Sequence, residues 1–264
     1  MTSKNTLIIG TRGSALALAQ ADMVRAALSA LHPGLDIRRE IIRTTGDRRT
    51  DVPLADVARV SGIVDKGIFI KELETALLEG RIDVAVHSLK DVPSELAPEF
   101  RFEDLRGNVP TRLEKLVEHP EWDAVILAKA GLERLGLYAP ETVVQGRKLY
   151  MRPLPVEAFI PAVGQGIVGM ECRASDRKTK ELLAGINDAE TCACGMAERT
   201  FLVRLGASCS TPVGVHACLE GDELVLRAAY YVPGREEPFA VVVRGDRNAP
   251  EALGILAFEK LGLN

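Results

Sequence analysis

The residues with the clearest chemical potential lie in the run Val86-His87-Ser88-Leu89-Lys90-Asp91-Val92-Pro93. An apolar stretch from Ile82 to Val86 reads as a buried strand and leads straight into a cation and a carboxylate, after which Pro93 favours extended or turn backbone. In an α/β sheet, residues just past the carboxyl end of a strand face the ligand crevice. A Lys90–Asp91 pair placed there binds an anion and stabilises a cation within one small site. Taken alone, the pair reads more blandly as a solvated turn with a local ion pair, since loops are normally polar.

Other runs carry related chemistry. Thr11-Arg12-Gly13-Ser14 falls between a strand and a helix, where backbone N–H groups, the Ser14 hydroxyl and the Arg12 fork suit a carboxylate or phosphate. The same four residues also make an ordinary helix cap with an exposed arginine. Leu105-Arg106-Gly107-Asn108-Val109-Pro110-Thr111-Arg112 repeats the theme with Arg106 and Arg112 around a glycine, or forms a surface turn. Arg134, on a short helical stretch, reads by itself as part of a solvated face. In Gly206-Ala207-Ser208-Cys209-Ser210-Thr211-Pro212, a loop of small residues offers an accessible thiol, and nearby Arg204 favours its thiolate. Cys209 is the best nucleophile or attachment point among the cysteines, the alternative being a packed small residue.

The elements that must position these groups alternate in the first half of the chain. The pattern predicts a strand at 6–11 and a helix at 14–31, with Leu16, Leu18, Ala19, Met23, Ala26, Ala27 and Leu31 as its apolar stripe. A strand at 36–43, a long mixed loop at 44–65, a helix at 66–79 with Ile70, Leu73, Leu77 and Leu78 inward, and a strand at 82–86 follow. This βαβαβ order implies a parallel, twisted sheet with helices on both faces. A further strand at 123–128, a helix at 131–135 and a proline-punctuated hinge at 153–163 come next. From residue 188 the pattern changes to a helix at 189–205, three strands near 212–219, 224–232 and 239–244, and a closing helix capped by Asn248 with Glu251 as capping-box partner.

The chain has 264 residues, 47% apolar and 27% charged, enough for two or three small domains with their own cores. A net charge of −4 argues against a general nucleic-acid binder, although a basic cleft can sit inside an acidic total. No apolar run reaches the length of a membrane span, and the first residues lack a signal-peptide core, so a cytoplasmic protein is expected. Five cysteines are an odd count for a disulfide framework. Cys192 and Cys194 point apart on a helix and histidine never falls at ligand spacing from cysteine, so no metal is expected.

Six of these runs, in order, resemble the porphobilinogen deaminase (hydroxymethylbilane synthase) family: residues 11–14, Lys66-Gly67-Ile68-Phe69-Ile70-Lys71-Glu72-Leu73-Glu74, 86–93, 105–113, Pro161-Ala162-Val163-Gly164-Gln165-Gly166 and the Cys209 loop. The resemblance spans nearly the whole chain. It implies an α/β fold of two periplasmic-binding-like doubly wound lobes plus a small C-terminal α+β domain. Residues 1–99 with 167–187 would form the first lobe, 100–166 the second, and 188–264 the third domain. It further implies a dipyrromethane cofactor joined by a thioether to Cys209, and the head-to-tail condensation of four porphobilinogen molecules with loss of ammonia.

In that chemistry Asp91 would be the catalytic carboxylate, stabilising the azafulvenium cation left when ammonia departs. Lys90, Arg106 and Ser14 would contact the cofactor, and Arg12, Lys66, Arg112 and Arg134 the carboxylates of the substrate, for which a planar guanidinium is well suited. A monomer acting on porphobilinogen, without nucleic-acid or membrane partners, is the expectation.

The chain departs from the family pattern between Pro93 and Arg101. About fifty residues, roughly half of a small domain, are absent there, including a Thr-Ser-Ser-Leu-Arg-Arg motif. The second lobe is therefore expected to be a truncated remnant of reduced stability. Val64-Asp65 also stands before Lys66-Gly67, where a double glycine is commoner in the family. Two alternatives follow: a degenerate member without activity, or a non-catalytic module that binds anionic ligands.

Overall fold

A computed structural model describes residues 5–44, 70–91, 100–104, 110–118, 120, 124–207, 211–232 and 234–263. The first unit is built from β1 (Thr6–Thr11), α1 (Ala15–Leu31), β2 (Asp36–Ile41), α2 (Lys71–Leu78) and β3 (Val84–Ser88), followed by a 3₁₀ turn at Leu89–Asp91. Two later strands, β4 (Phe100–Asp104) and β7 (Val168–Arg173), complete a five-stranded sheet in the order β2-β1-β3-β7-β4. The expected loop at 44–65 falls almost wholly outside the described residues.

The three N-terminal strands run parallel, but β7 pairs antiparallel with β3 and β4 antiparallel with β7. The sheet is thus mixed rather than purely parallel. Both late strands return from other parts of the fold, so no βαβ crossover dictates their direction. β4, which follows the boundary expected at residue 100, thus pairs into the first sheet.

Side chains alternate across this sheet. Val84, Val86, Val168, Met170 and Cys172 pack with Leu7 and Ile9 against Val24 and Leu28 of α1. On the opposite face Ala85 and Ile82 meet Leu73, Ala76 and Leu77 of α2. Each fully buried large aliphatic chain contributes about 1.5–3 kcal/mol, so these layers carry the unit.

The α1 stripe is rotated from its expected phase, with Leu16, Ala17, Gln20, Ala21, Val24 and Leu28 inward and Leu31 half exposed. Alanines all round the helix make its apolar face ambiguous in sequence. Gln20 turns inward because its Nε2 donates to Ser88 Oγ at 3.2 Å. On α2 the exposed Leu78 is likewise replaced inside by Ala76.

The second unit is small. Helices α3 (Pro110–Glu118) and α4 (Lys129–Arg134) pack with a hairpin of β5 (Glu141–Val144) and β6 (Arg147–Tyr150) around Leu113, Leu116, Leu132 and Leu149. Gln145 and Gly146, both at positive φ, form the tight turn of that hairpin. The strand expected at 123–128 is not formed over its described part, 124–128, where among the described residues no neighbouring strand offers a ladder. Ile126, Val143, Tyr150 and Leu154 are all more than half exposed.

A two-stranded hairpin with so little cover is marginal. Native-state hydrogen exchange is therefore expected to show the amides of 141–150 opening at lower free energy than those of β1, β3 and β7. Equal protection in the two units would contradict a weakened second unit.

Helix α5 (Arg177–Ala184) still packs against the first sheet, with Leu183 in its core. The third unit holds α6 (Ala189–Leu205), an antiparallel sheet of β8 (Val213–Glu220), β9 (Glu223–Tyr230) and β10 (Phe239–Asp246), and α7 (Pro250–Lys260). Asp188 caps α6 by accepting from Thr191 N–H at 2.7 Å. Phe201, Leu224, Leu226, Val243 and Leu253 fill the core between helices and sheet. Asn248 is not the cap of α7. Its amide groups donate to Asp246 Oδ1, while Ala249 takes the cap position and Pro250 opens the helix. No described helix is long and apolar enough to cross a membrane.

Candidate active site

β1 and β3 are parallel neighbours, so their carboxyl ends emerge side by side and deliver two chemically loaded loops to one place. After β1, Ser14 caps α1, its Oγ accepting from Ala17 N–H at 3.3 Å. Thr11, fully buried, steadies this exit by donating from its hydroxyl to Ala17 O at 3.0 Å. After β3, the 3₁₀ turn lifts Lys90 and Asp91 beside Arg12.

Arg12 Nη1 lies 3.8 Å from Asp91 Oδ2, and Lys90 Nζ lies 3.5 Å from Asp91 Oδ1. All three side chains stay partly exposed, at 19%, 33% and 27% for Arg12, Lys90 and Asp91. Ion pairs this long and wet contribute about 0–1 kcal/mol each. They set the Asp91 carboxylate between two cations without closing its coordination. Arg12, Ser14, Gln20, His87, Ser88 and Asp91 line one small polar pocket.

The turn is held from below by the Pro161–Gly166 run. Leu89 N–H donates to Ile167 O at 2.8 Å. Gly164, at φ +64°, sits so close that a Cβ there would lie 3.1 Å from Leu89 Cγ and 3.2 Å from Lys90 N. Only glycine satisfies both that conformation and that approach.

Gly164 N–H in turn donates to Glu198 Oε2 at 2.7 Å, and Ala217 N–H donates to Glu198 Oε1 at 2.8 Å. Val215 N–H reaches Pro161 O at 2.8 Å. The buried Glu198 carboxylate of α6 thereby joins the third unit to the loop that supports Asp91.

Sequence reasoning missed Glu198. Its signal was a lone acid on the same helical face as Ala197 and Phe201, all of them buried. Replacing Glu198 by alanine strands two buried N–H groups at about 1–3 kcal/mol each, so chemical denaturation is expected to show a loss of about 3 kcal/mol. A loss under about 0.5 kcal/mol, typical of an ordinary surface site, would count against this bridge.

The structure thus brings Arg12, Ser14, Lys90 and Asp91 together as expected. Arg112 is exposed on α3, and Arg134 lies at the end of α4, which packs against α1; neither lines the pocket. Lys66, Arg106 and Cys209 fall outside the described residues. The approach to Cys209 is described: α6 ends at Gly206 in the left-handed conformation, and Ala207 N–H closes the cap on Leu202 O at 3.2 Å.

Comparison with known proteins shows the family. The family described as porphobilinogen deaminase, dipyromethane cofactor binding domain, matches residues 7–102 and 94–181, and the porphobilinogen deaminase C-terminal domain family matches 192–262. Porphobilinogen deaminase of Roseiflexus castenholzii is 40% identical over 273 positions, covering 84% of this chain and 85% of its own. That of a Roseiflexus sp. is 38% identical over 310 positions, covering 98% and 96%. The protein of the same name from Acidithiobacillus ferrooxidans is 37% identical over 301 positions, covering 95% and 92%.

The 310-position alignment takes in 98% of 264 residues, which leaves about fifty positions without a residue of this chain. The first family match is split in two, and its parts meet at 94–102, where the sequence had suggested the gap.

Proposed function

The chain belongs to the porphobilinogen deaminase family, and from that premise we propose that Asp91 is its catalytic carboxylate and Cys209 its cofactor attachment point. The activity is that of a transferase of tetrapyrrole biosynthesis, condensing four porphobilinogen molecules into linear hydroxymethylbilane with release of ammonia. Its cofactor is dipyrromethane. When bound, the cofactor supplies the terminal pyrrole carbon from which the chain grows.

The pocket suits such a group, with an acceptor for pyrrole N–H in Asp91 and donors for carboxylates in Arg12, Lys90 and Ser14. Asp91 sits where positive charge develops as the C–N bond of porphobilinogen breaks, the electron pair leaving with ammonia. A carboxylate fixed before the reaction needs no reorganisation to stabilise that charge. Arg12 and Lys90 flank Asp91 and offer donors to acetate and propionate groups. Ser14 presents its hydroxyl at the N-terminus of α1, where carboxylates are favoured. Arg106 is proposed as a further contact of the cofactor, and Lys66, Arg112 and Arg134 as contacts of the substrate carboxylates.

The observation that carries this reading is the Arg12–Asp91–Lys90 cluster at the adjoining ends of β1 and β3. A monomer in the cytoplasm is the accompanying proposal, with porphobilinogen as its small-molecule partner and no nucleic acid or membrane; the acidic net charge supports the absence of nucleic acid. The first lobe is proposed to comprise 1–99 and 167–187 together with β4, the second the rest of 100–166, and the cofactor domain 188–264. The purified chain is expected to release one ammonia per porphobilinogen consumed. Substrate bound without ammonia release would mark an inactive member, the reading that the gap raises.

A further inference from the structure

Behind the Asp91 pocket lies a buried acid–base cluster that the proposed chemistry leaves unused. His87, 5% exposed, belongs to the pocket wall, and its Nε2 lies 2.9 Å from Glu171 Oε2 on the neighbouring strand β7. Glu171 is fully buried, and its other oxygen, Oε1, has no hydrogen-bond partner among the described residues. Glu74, from the first turn of α2, faces the same pair. Its carboxyl is pushed up from the ordinary glutamate range by burial first and by the charge of Glu171 next, while His87 pulls it down.

This cluster is costly where it stands. Its strands are otherwise lined by Ala85, Val86, Met170 and Cys172, a setting in which a well-packed apolar pair is often as stable as an ion pair or more so. A buried carboxylate oxygen without a donor among the described residues is uncommon and asks for an explanation. The remaining charges of this region are already engaged: Arg173 holds Asp83 at 3.2 Å and Asp176 at 3.1 Å, and Arg12 and Lys90 face Asp91. Glu72 and Lys71 share α2 with Glu74, and Lys71 is exposed.

We propose that His87, Glu171 and Glu74 form a proton-holding positioning cluster that fixes the wall of the Asp91 pocket and sets the acid limb of the pH dependence of turnover. The proposal rests on the reading of Asp91 as the catalytic carboxylate. The limb is the acid one because Glu74 gains its proton as pH falls. That proton removes one of the two carboxylate charges facing the His87–Glu171 pair and loosens the wall against which the β3 end is held.

The test compares pH profiles of kcat/KM for the cofactor-loaded wild type, Glu171→Gln and Glu74→Gln. Glu171→Gln keeps an oxygen to accept from His87 but removes the charge that pushes Glu74 up, so the acid limb is expected to move to lower pH by about half a unit or more. Glu74→Gln, on a half-buried helix position that tolerates an amide, is expected to abolish that limb and to lower kcat with KM little changed. A double replacement, H87L with E171M, is expected to keep the unfolding midpoint while lowering kcat about tenfold or more, which a purely structural pair would not do. Profiles that superimpose on the wild type, in variants whose mass shows the cofactor in place, overturn the proposal. Turnover that survives replacement of Asp91 overturns instead the reading on which it rests.

Discussion

Replacing Asp91 by asparagine is expected to lower kcat by about 10²–10³-fold, the usual consequence of removing one fixed electrostatic stabiliser of a transition state. The fold should scarcely register the change. The two ion pairs of Asp91 are long, at 3.8 and 3.5 Å, and more than a quarter of its side chain is exposed, so their loss costs at most about 1 kcal/mol. This contrast makes the experiment decisive. Steady-state release of ammonia and a denaturation curve, measured on the same preparation, separate chemistry from folding. If asparagine supports turnover within about threefold of the wild type, the carboxylate is not the stabilising group and the Arg12–Asp91–Lys90 cluster is merely a surface ion-pair network.

Replacing Cys209 by serine is expected to eliminate activity altogether, because no oxygen nucleophile of ordinary basicity stands in for a thiolate in forming the link to the cofactor. Intact-mass spectrometry of protein from a haem-producing host should show the wild-type chain heavier by one dipyrromethane and the variant unmodified. Cys192, Cys194 and Cys218 are partly exposed, so peptide mapping of the adduct is part of the measurement. Cys218 is the one to watch, since Arg227 Nη1 donates to its Sγ at 3.6 Å. An adduct retained after Cys209→Ser, or an unmodified wild type, removes the assignment. The second outcome would also mean that a chain with about fifty fewer positions than its relatives no longer loads its cofactor.

Much of the fold was legible in local pattern. The exits of β1 and β3, the Ser14 cap and the span of α6 follow from alternation, capping chemistry and Gly206, all of which act within a few residues. The strand direction of β7 and the placement of β4 did not. Whether a strand runs with or against its neighbour depends on where the chain has travelled since the previous strand, which no local pattern records. The strand expected at 123–128, not formed over 124–128, also depended on distant parts of the chain. Its apolar residues meet the pattern for a strand, but among the described residues no ladder partner pairs with 124–128.

The site divides along similar lines. Sequence by itself determined which groups could do chemistry, because Arg12, Ser14, Lys90 and Asp91 occupy element ends whose exposure is set by local backbone geometry. Only the tertiary structure decided that Arg12 and Asp91 face each other, since that requires β1 and β3 to be parallel neighbours in the sheet. It alone decided the buried roles of Glu198 and of the His87–Glu171 pair. A charged residue inside an apolar stretch looks like a solvated position in sequence. What makes it stable in a core is a partner from another strand, helix or loop, such as the Gly164 and Ala217 amides for Glu198 and the imidazole of His87 for Glu171.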